Sequence, residues 1–386
     1  MKRNTVQHTA ILGIVLAICC AFIGAGLPFT AFTAHALSSV DAHFSTANCP
    51  SAAAPTSKSL LVVLLDRSGS LIFQPGATDP NGYSTSVARA LTDLWPGAMA
   101  VIPFSGDNTQ LPILGPDNLS DTTSRADLKN KIQDYPIGGN TPLAPAMLEA
   151  LNLLHGSPLG SRVIIITDGN PSGSGNNDGP HQEQEIRNNL IAEFCQQGIP
   201  ISTIGLAIDP STPDGQDANR LLADIAGGTG AVFTRVANAQ DLSKVVISLA
   251  AQWLGLTYSE VPRHGGTFPI VVDSFATEVS IITFRTNSQY PITLRGPNGK
   301  PVTAGLQQST DRHYVIDSFK VPGGLPPGSY SVDAAGDPSA QVYILVSSSL
   351  RIQLITPSSR TVAYGDRPVQ IQAEFLHGQQ VLMPQT

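Results

Sequence analysis

Short continuous apolar runs alternate with helical repeats over the first two thirds of the chain. The runs lie at residues 60–65, 98–104, 163–166, 201–206 and 231–233. Runs of this kind are typical of strands that are buried on both faces of a parallel sheet. The segments between them carry apolar residues three or four positions apart, which predicts amphipathic helices. Strands alternating with helices indicate an α/β domain with a doubly wound, mostly parallel sheet.

After about residue 257 the pattern changes to a period of two, with glycine and proline at the turns. The strands predicted there lie at 278–284, 291–294, 314–319, 327–332 and 342–346. Because no long helical repeat interrupts them, we expect a β-sandwich. Residues 350–386 start a further strand pair, with a strand at 369–373 and a turn at His377-Gly378. This segment either joins the sandwich or is a truncated further domain.

The N-terminus has the order of an export signal. Lys2 and Arg3 precede an apolar run over residues 10–27, which is followed by Ala34-His35-Ala36. Small residues at 34 and 36 suit a signal peptidase, so cleavage is predicted before Leu37. The alternative is an uncleaved membrane anchor, since the run is just long enough to span a bilayer. Both interpretations place the folded part outside the cytoplasm, as a secreted or cell-surface protein.

These patterns divide the chain into five parts, and the charge of the chain argues against one class of partner. The predicted parts are a signal peptide or anchor (1–36), a linker (37–57), the α/β domain (58–255), the β-sandwich (260–349) and a C-terminal β segment (350–386). The 386 residues carry a formal net charge of −7. No basic stretch follows Lys2-Arg3, so nucleic-acid binding has no support.

A candidate metal site begins where the first predicted strand ends, at Asp66-Arg67-Ser68-Gly69-Ser70. In a tight loop, alternate residues can turn their oxygens toward one centre. A carboxylate and two hydroxyls are hard ligands that suit Mg²⁺ or Mn²⁺. Taken alone, the same five residues could form an ordinary turn between a strand and a helix.

Two further loops carry matching oxygen donors. Thr141 precedes a predicted helix, and Asp168 follows another central strand. Thr141 could instead be only the N-cap of that helix, with Pro142 at its first position. Parallel strands with right-handed crossovers end along one rim of the sheet, where ligands of open α/β sheets bind. Three loops on one rim therefore predict one site.

The spacing resembles the metal-ion-dependent adhesion site of von Willebrand factor type A, or integrin I-like, domains. That family's pattern of Asp-x-Ser-x-Ser, a distal Thr and a distal Asp falls on Asp66, Ser68, Ser70, Thr141 and Asp168. The resemblance covers about residues 58–250 and implies a six-stranded sheet. It implies direct contact of both serines with Mg²⁺, with Mn²⁺ or Ca²⁺ as substitutes, and aspartates that act largely through water. Such an ion would bind a carboxylate of a partner.

The resemblance therefore favours a metal-dependent binding or adhesion module that is not an enzyme. The partner would be a protein or a surface polymer that presents a carboxylate, with Asn140, Gly169 and Asn170 as candidate partner contacts at the rim. One alternative is an assembly subunit with a silent metal site. The other is a metal-dependent hydrolase, although His181 is the only histidine near a predicted rim loop.

Two cysteines, Cys49 and Cys195, lie outside the N-terminal apolar run. In a fold of this family Cys195 would end a helix at the rim opposite the metal, and Cys49 would precede the first strand at the same end. An exported chain permits a disulfide between them. The alternative is two separate buried thiols.

Overall fold

The computed structural model describes residues 49–50, 53–72, 76–107, 110–133, 138–286, 288–321, 324–356, 372–377 and 380–381. The predicted signal peptide or anchor (1–36) and residues 37–48 of the predicted linker lie outside the described residues. Among the described residues, no helix is long and apolar enough to cross a membrane.

A six-stranded sheet forms the centre of the first half. Its strands are β1 (Leu60–Asp66), β2 (Ala98–Phe104), β3 (Leu114–Asn118), β4 (Arg162–Thr167), β5 (Ile201–Leu206) and β6 (Phe233–Val236). Their order is β3-β2-β1-β4-β5-β6, and all neighbours are parallel except β3, which pairs antiparallel with β2. The predicted mostly parallel α/β sheet is confirmed.

Helices cover both faces of this sheet. They are α1 (Tyr83–Leu94), α2 (Thr122–Gln133), α3 (Leu143–Leu154), α4 (Gly179–Glu185), α5 (Ile191–Gln196), α6 (Pro213–Gly228) and α7 (Leu242–Leu254), with a π-helical turn at Ile186–Leu190 between α4 and α5. Leu61, Val63 and Leu65 of β1 pack in one core with α1, α2 and α7. Val62 and Leu64 of the same strand belong to the core that contains α3, α5 and α6. Because successive strand residues point to opposite faces, an unbroken apolar strand serves both cores.

The second half is a sandwich of two antiparallel sheets. Its strands are β7 (Thr257–Val261), β8 (Thr267–Val272), β9 (Ala276–Phe284), β10 (Thr293–Arg295), β11 (Gln307–Thr310), β12 (Tyr314–Lys320), β13 (Gly328–Asp333) and β14 (Gln341–Ser348). One sheet has the order β11-β12-β9-β14-β7 and the other β10-β13-β8. Val279 and Ile281 of β9 point into the core between the two sheets, where they meet Phe268 and Val332.

The outer face of the five-stranded sheet packs on the helices of the α/β domain. Ile282, Phe284 and Tyr343 belong to the same apolar core as α1 and α7. Polar contacts add to this packing at α1, where Asp93 accepts hydrogen bonds from the Tyr314 hydroxyl (2.8 Å) and from Ser309 (2.8 Å). The sandwich is therefore seated on α1 and α7 within one compact unit that extends to Ser349.

A separate small sheet follows. It consists of β15 (Leu350–Thr356), β16 (Gln372–His377) and β17 (Gln380–Val381), in the order β15-β16-β17 with antiparallel pairing. Two predictions fall partly outside the described residues. They are the strand at 369–373, of which residues 369–371 are not described, and the turn at His377-Gly378, of which Gly378 is not described.

Cys49 and Cys195 form a disulfide, as the sequence analysis anticipated. Cys195 lies in α5, near the end of the helix. Since α5 leads into the start of β5, the bridge lies at the end of the sheet from which the parallel strands start. It joins the segment before β1 to this end and closes a loop with a sequence separation of 146 residues.

We expect this bridge to stabilise the fold by restricting the unfolded chain. For a loop of this length the chain-entropy model gives about 5 kcal/mol, as an upper value. The double variant Cys49→Ser/Cys195→Ser should lose up to that amount of unfolding free energy, measured by denaturant titration. Reductant should destabilise the wild type and leave the double variant unchanged. Alkylation of both thiols in the native protein without reductant would show that the bridge does not form.

Candidate metal centre

Two carboxylates meet where the central strands end. Asp66 is the last residue of β1, and Asp168 follows the last residue of β4. The two strands are direct neighbours, with Leu65 paired to Ile166, so their ends come side by side. The topology thus brings together two side chains that are about 100 residues apart in the chain.

The Asp66 carboxylate is enclosed by protein. Asp66 is 1% exposed, and its two oxygens accept hydrogen bonds from the Ser68 backbone N–H (2.8 Å) and the Thr167 hydroxyl (2.5 Å). Burial, followed by the negative charge of Asp168, raises the pKa of Asp66 to about 6. Both causes disfavour the ionised form, so a nearby cation would relieve an unfavourable charge.

The serines of the first loop lie against these carboxylates. The Ser68 and Ser70 hydroxyl oxygens are 3.1 Å apart, and the Ser70 hydroxyl donates to Asp168 Oδ1 at 2.9 Å. Ser68 is buried, whereas Ser70 is partly exposed. The loop therefore places two hydroxyl oxygens beside the two aspartates. Of the two serines, Ser70 is the one that solvent can reach.

Backbone contacts hold the Thr141 loop between the other two loops. Gly138 N–H donates to Arg67 O (2.8 Å), and Gly69 N–H donates to Gly139 O (3.1 Å). On the other side, Thr141 N–H donates to the Ser172 hydroxyl at 2.9 Å. Gly139 has a φ of 81°, and a Cβ there would lie 2.6 Å from Gly106 Cα, so only glycine fits this approach.

Thr141 does not cap the following helix. Helix α3 begins at Leu143 with Pro142 at the N-cap position, and the side chain that accepts from an N–H of its first turn is that of Gln182, which bonds Ala144 N–H at 3.1 Å. The alternative in which Thr141 is only an N-cap, with Pro142 as the first helical residue, is therefore wrong. Thr141 is 6% exposed, and its loop lies between the Asp66 and Asp168 loops and hydrogen-bonds to both.

Thr78 is a residue at this site that the sequence analysis did not identify. Its hydroxyl donates to Asp168 Oδ2 at 2.5 Å. Thr78 comes from the segment before α1, which lies in a long loop outside the Asp-x-Ser-x-Ser pattern. Its only sequence signal is its position one residue before Asp79, which caps α1 by accepting from the Tyr83 and Ser84 N–H groups (both 2.8 Å).

The donor set fits a hard divalent cation. Two close carboxylates and the neighbouring hydroxyls supply only oxygen, which is what Mg²⁺, Mn²⁺ and Ca²⁺ prefer. Among the residues that the structure describes, no group of three or more His, Cys, Asp or Glu side chains could hold a metal. The predicted site contains only two acidic residues, and its other donors are hydroxyls. It is therefore not a cluster of that type.

Sequence comparison assigns the first half of the chain to a known family. The von Willebrand factor type A family matches residues 61–246, which span β1 to α7. These residues form a von Willebrand factor type A (VWA) domain. Comparison with curated protein sequences gives no match.

Several solved structures resemble the chain at low identity. A von Willebrand factor type A protein of Catenulispora acidiphila is 14% identical, with 77% of this chain and 61% of that chain covered and a TM-score of 0.38. The pilus adhesin SpaC of Lactobacillus rhamnosus GG is 12% identical (76% and 40% covered, TM-score 0.42). The minor pilin PilB of Streptococcus sanguinis is 17% identical (51% and 61% covered, TM-score 0.38).

The chain thus spans about three fifths of the first of these proteins and two fifths of the second. With TM-scores of 0.38 to 0.42, none of the three indicates what this chain binds.

The predicted partner contacts lie on rim loops of the VWA domain, and two of them are tied to other segments, one in a loop and one at the start of α6. The Asn140 side-chain amide donates to Asp107 Oδ1 (2.5 Å), and that of Asn170 donates to Asp214 O (2.9 Å). Gly169 is half-buried beside Asp168. The two amides therefore brace the loops around the site, and both residues remain partly accessible.

The raised pKa of Asp66 gives a pH dependence of stability in the absence of metal. The folded state holds this proton more tightly than the unfolded state, where the pKa is about 3.8. The contribution of Asp66 to the unfolding free energy is therefore fully present below pH 4 and is lost as the pH rises through about 6.

In chelator, we expect the unfolding free energy of the wild type to fall over this range relative to that of Asp66→Asn, which cannot ionise. Denaturant titrations at pH 4, 5, 6 and 7 measure the difference. Asp79 and Asp317, whose pKa values burial also raises, are present in both proteins and cancel. Parallel pH curves for the two proteins would contradict the assigned shift.

Proposed function

We propose that this protein is an extracytoplasmic, metal-dependent binding module. Its VWA domain would hold Mg²⁺ with Asp66, Ser68, Ser70, Thr141 and Asp168 and would bind an acidic group of a partner protein or surface polymer. The observation that carries the proposal is the meeting of Asp66, Asp168 and the serine hydroxyls at one rim, although they come from separate loops.

The hydroxyl hydrogen bonds support a role for the serines as direct ligands. A hydroxyl that donates its proton keeps two lone pairs on its oxygen. Ser70 donates to Asp168 in this way, so its oxygen can still face a cation. Ser68 Oγ lies 3.1 Å from Ser70 Oγ, a separation compatible with neighbouring positions around one ion.

The hydrogen bonds of the two aspartates favour contact with the metal through water. Protein groups already donate to all four of their oxygens: Ser68 N–H and Thr167 to Asp66, and Ser70 and Thr78 to Asp168. Each bond leaves the carboxylate less free to turn and coordinate directly, which favours contact through water. Mg²⁺ commonly keeps several waters and few carboxylate ligands. A metal held in this way supplies an electrophilic position for a carboxylate from outside.

The charge of the chain makes the metal necessary for such a partner. The formal net charge is −7, and the part from residue 37 onward has −9, because residues 1–36 contain two cations and no acid. The general field of the protein therefore repels acidic groups. Any attraction to a carboxylate must be local, and chelation should abolish it.

We expect calorimetric titration of the folded protein with MgCl2 to show one binding site. Asp66→Ala and Ser68→Ala should each weaken Mg²⁺ binding by at least about tenfold while the fold remains intact. Asp209→Ala is the matched control, because Asp209 is an exposed rim acid whose carboxylate hydrogen-bonds to Ser211 within its own loop. A wild type that takes up neither Mg²⁺ nor Mn²⁺ would refute the metal site and favour a silent assembly role.

The same variants test the carboxylate partner. The probe is carboxymethylated dextran on a sensor surface, with unmodified dextran as the reference. The wild type should bind the carboxylated surface in Mg²⁺ and be released by chelator, whereas Asp66→Ala should bind neither surface. Equal binding of the wild type and Asp66→Ala would attribute the signal to general adsorption and count against the proposal.

A further inference from the structure

Thr78 occupies a specific place in the site. It lies on the segment between the Asp-x-Ser-x-Ser loop and α1, is partly buried, and donates its hydroxyl to Asp168 Oδ2 at 2.5 Å. Ser70 donates to the other oxygen of the same carboxylate. Asp168 is thus held between two hydroxyls from two different segments.

The Thr78 hydroxyl is not needed to hold its own segment in position. Backbone hydrogen bonds already attach this segment to the first loop, from Thr78 N–H to Ser70 O (3.3 Å) and from Asp79 N–H to Leu71 O (3.0 Å). The side chain is therefore available for a separate contact, and that contact is with the carboxylate.

Asp79 fixes Thr78 from the other side. It is 1% exposed, and its carboxylate accepts from the Tyr83 and Ser84 N–H groups at 2.8 Å each. A carboxylate at a helix N-terminus satisfies orphan donors and interacts favourably with the helix dipole. Thr78 is consequently held next to the start of α1, and this restricts the position of the hydroxyl that donates to Asp168.

We propose that Thr78 is a positioning residue of the metal site, whose hydroxyl fixes the orientation of Asp168. This inference rests on the proposed function, since it assigns a further residue to the same site. Groups that orient a metal-binding side chain without touching the metal commonly change metal affinity by about 10- to 100-fold when they are removed. Loss of the Thr78 hydroxyl should act through Asp168 and leave the other donors in place.

The test compares Thr78→Val, which has the same shape without the hydroxyl, with Thr78→Ser, which keeps the hydroxyl. The matched control is Thr92→Val in α1, the helix that follows Thr78, about 13 Å along its axis from Tyr83. Thr92 is buried and donates to Ala88 O, so this variant reports the general effect of losing a buried hydroxyl. Mg²⁺ affinity is measured by calorimetry, and the melting temperature in chelator is measured for each variant.

We expect Thr78→Val to weaken Mg²⁺ binding about tenfold, and Thr78→Ser and Thr92→Val to stay within about threefold of the wild type. If Thr78→Val does not fold, Thr78→Ala replaces it. Wild-type affinity in the variant without the hydroxyl would overturn the inference and leave the proposed function intact. Equal losses in Thr78→Val and Thr78→Ser would show that binding weakens whether or not the hydroxyl is kept, and would also overturn it. A wild type that does not bind Mg²⁺ would refute the proposed function itself, and this inference with it.

Discussion

The structure of the site depends on the enforced proximity of two carboxylates. Neighbouring strands β1 and β4 end in register, so Asp66 and Asp168 cannot move apart without disrupting the centre of the sheet. Burial and the charge of Asp168 raise the pKa of Asp66 to about 6, which means that the sheet holds this charge at a cost in stability. Proteins retain such costs mainly at functional sites. The hydroxyls around the pair lessen the cost only in part, because they supply no positive charge.

Two further features of the described residues attach to the VWA domain. The disulfide lies at the opposite end of the sheet, and the sandwich is seated on α1 and α7 through Asp93, Tyr314 and the shared apolar core. Helix α1 therefore has two roles. Its N-terminus is capped by Asp79 next to Thr78, and it contacts the sandwich both at Tyr83, whose ring lies 5.6 Å from that of His313, and at Asp93. The proposed binding site and the β-sandwich therefore both contact one helix.

The elements that the sequence predicts are those with strong physical signals. The apolar runs of β1, β2, β4 and β5 are clear because those strands are buried on both faces, and the oxygen donors follow directly from where β1 and β4 end. Strand β3 is not predicted because its sequence, LGPDN, has no β propensity and pairs only at the sheet edge. Helix α2 is not predicted either, because only Leu128 and Ile132 of its 12 residues are buried and the apolar repeat is therefore weak. The last strand of this sheet, predicted at 231–233, is found at Phe233–Val236, where the apolar pattern is weak.

The partners of individual side chains could not be predicted from local pattern. Thr78 contacts Asp168 across 90 residues of sequence, and its place one residue before the helix-capping Asp79 does not indicate which residue its hydroxyl contacts. The N-cap alternative for Thr141 likewise fails because the helix starts one residue later than the Thr-Pro pair suggests. Both cases depend on how loops pack against each other, which spacing along the chain does not encode.

The most direct test of the account is to locate the ion. Crystals of the protein grown or soaked with MnCl2 allow the metal to be placed by its anomalous scattering. The account predicts one strong peak beside the Ser68 and Ser70 hydroxyls, between Asp66 and Asp168 and within reach of Thr141. A rim without a peak at saturating Mn²⁺, or a peak bound only by residues outside this set, would contradict it.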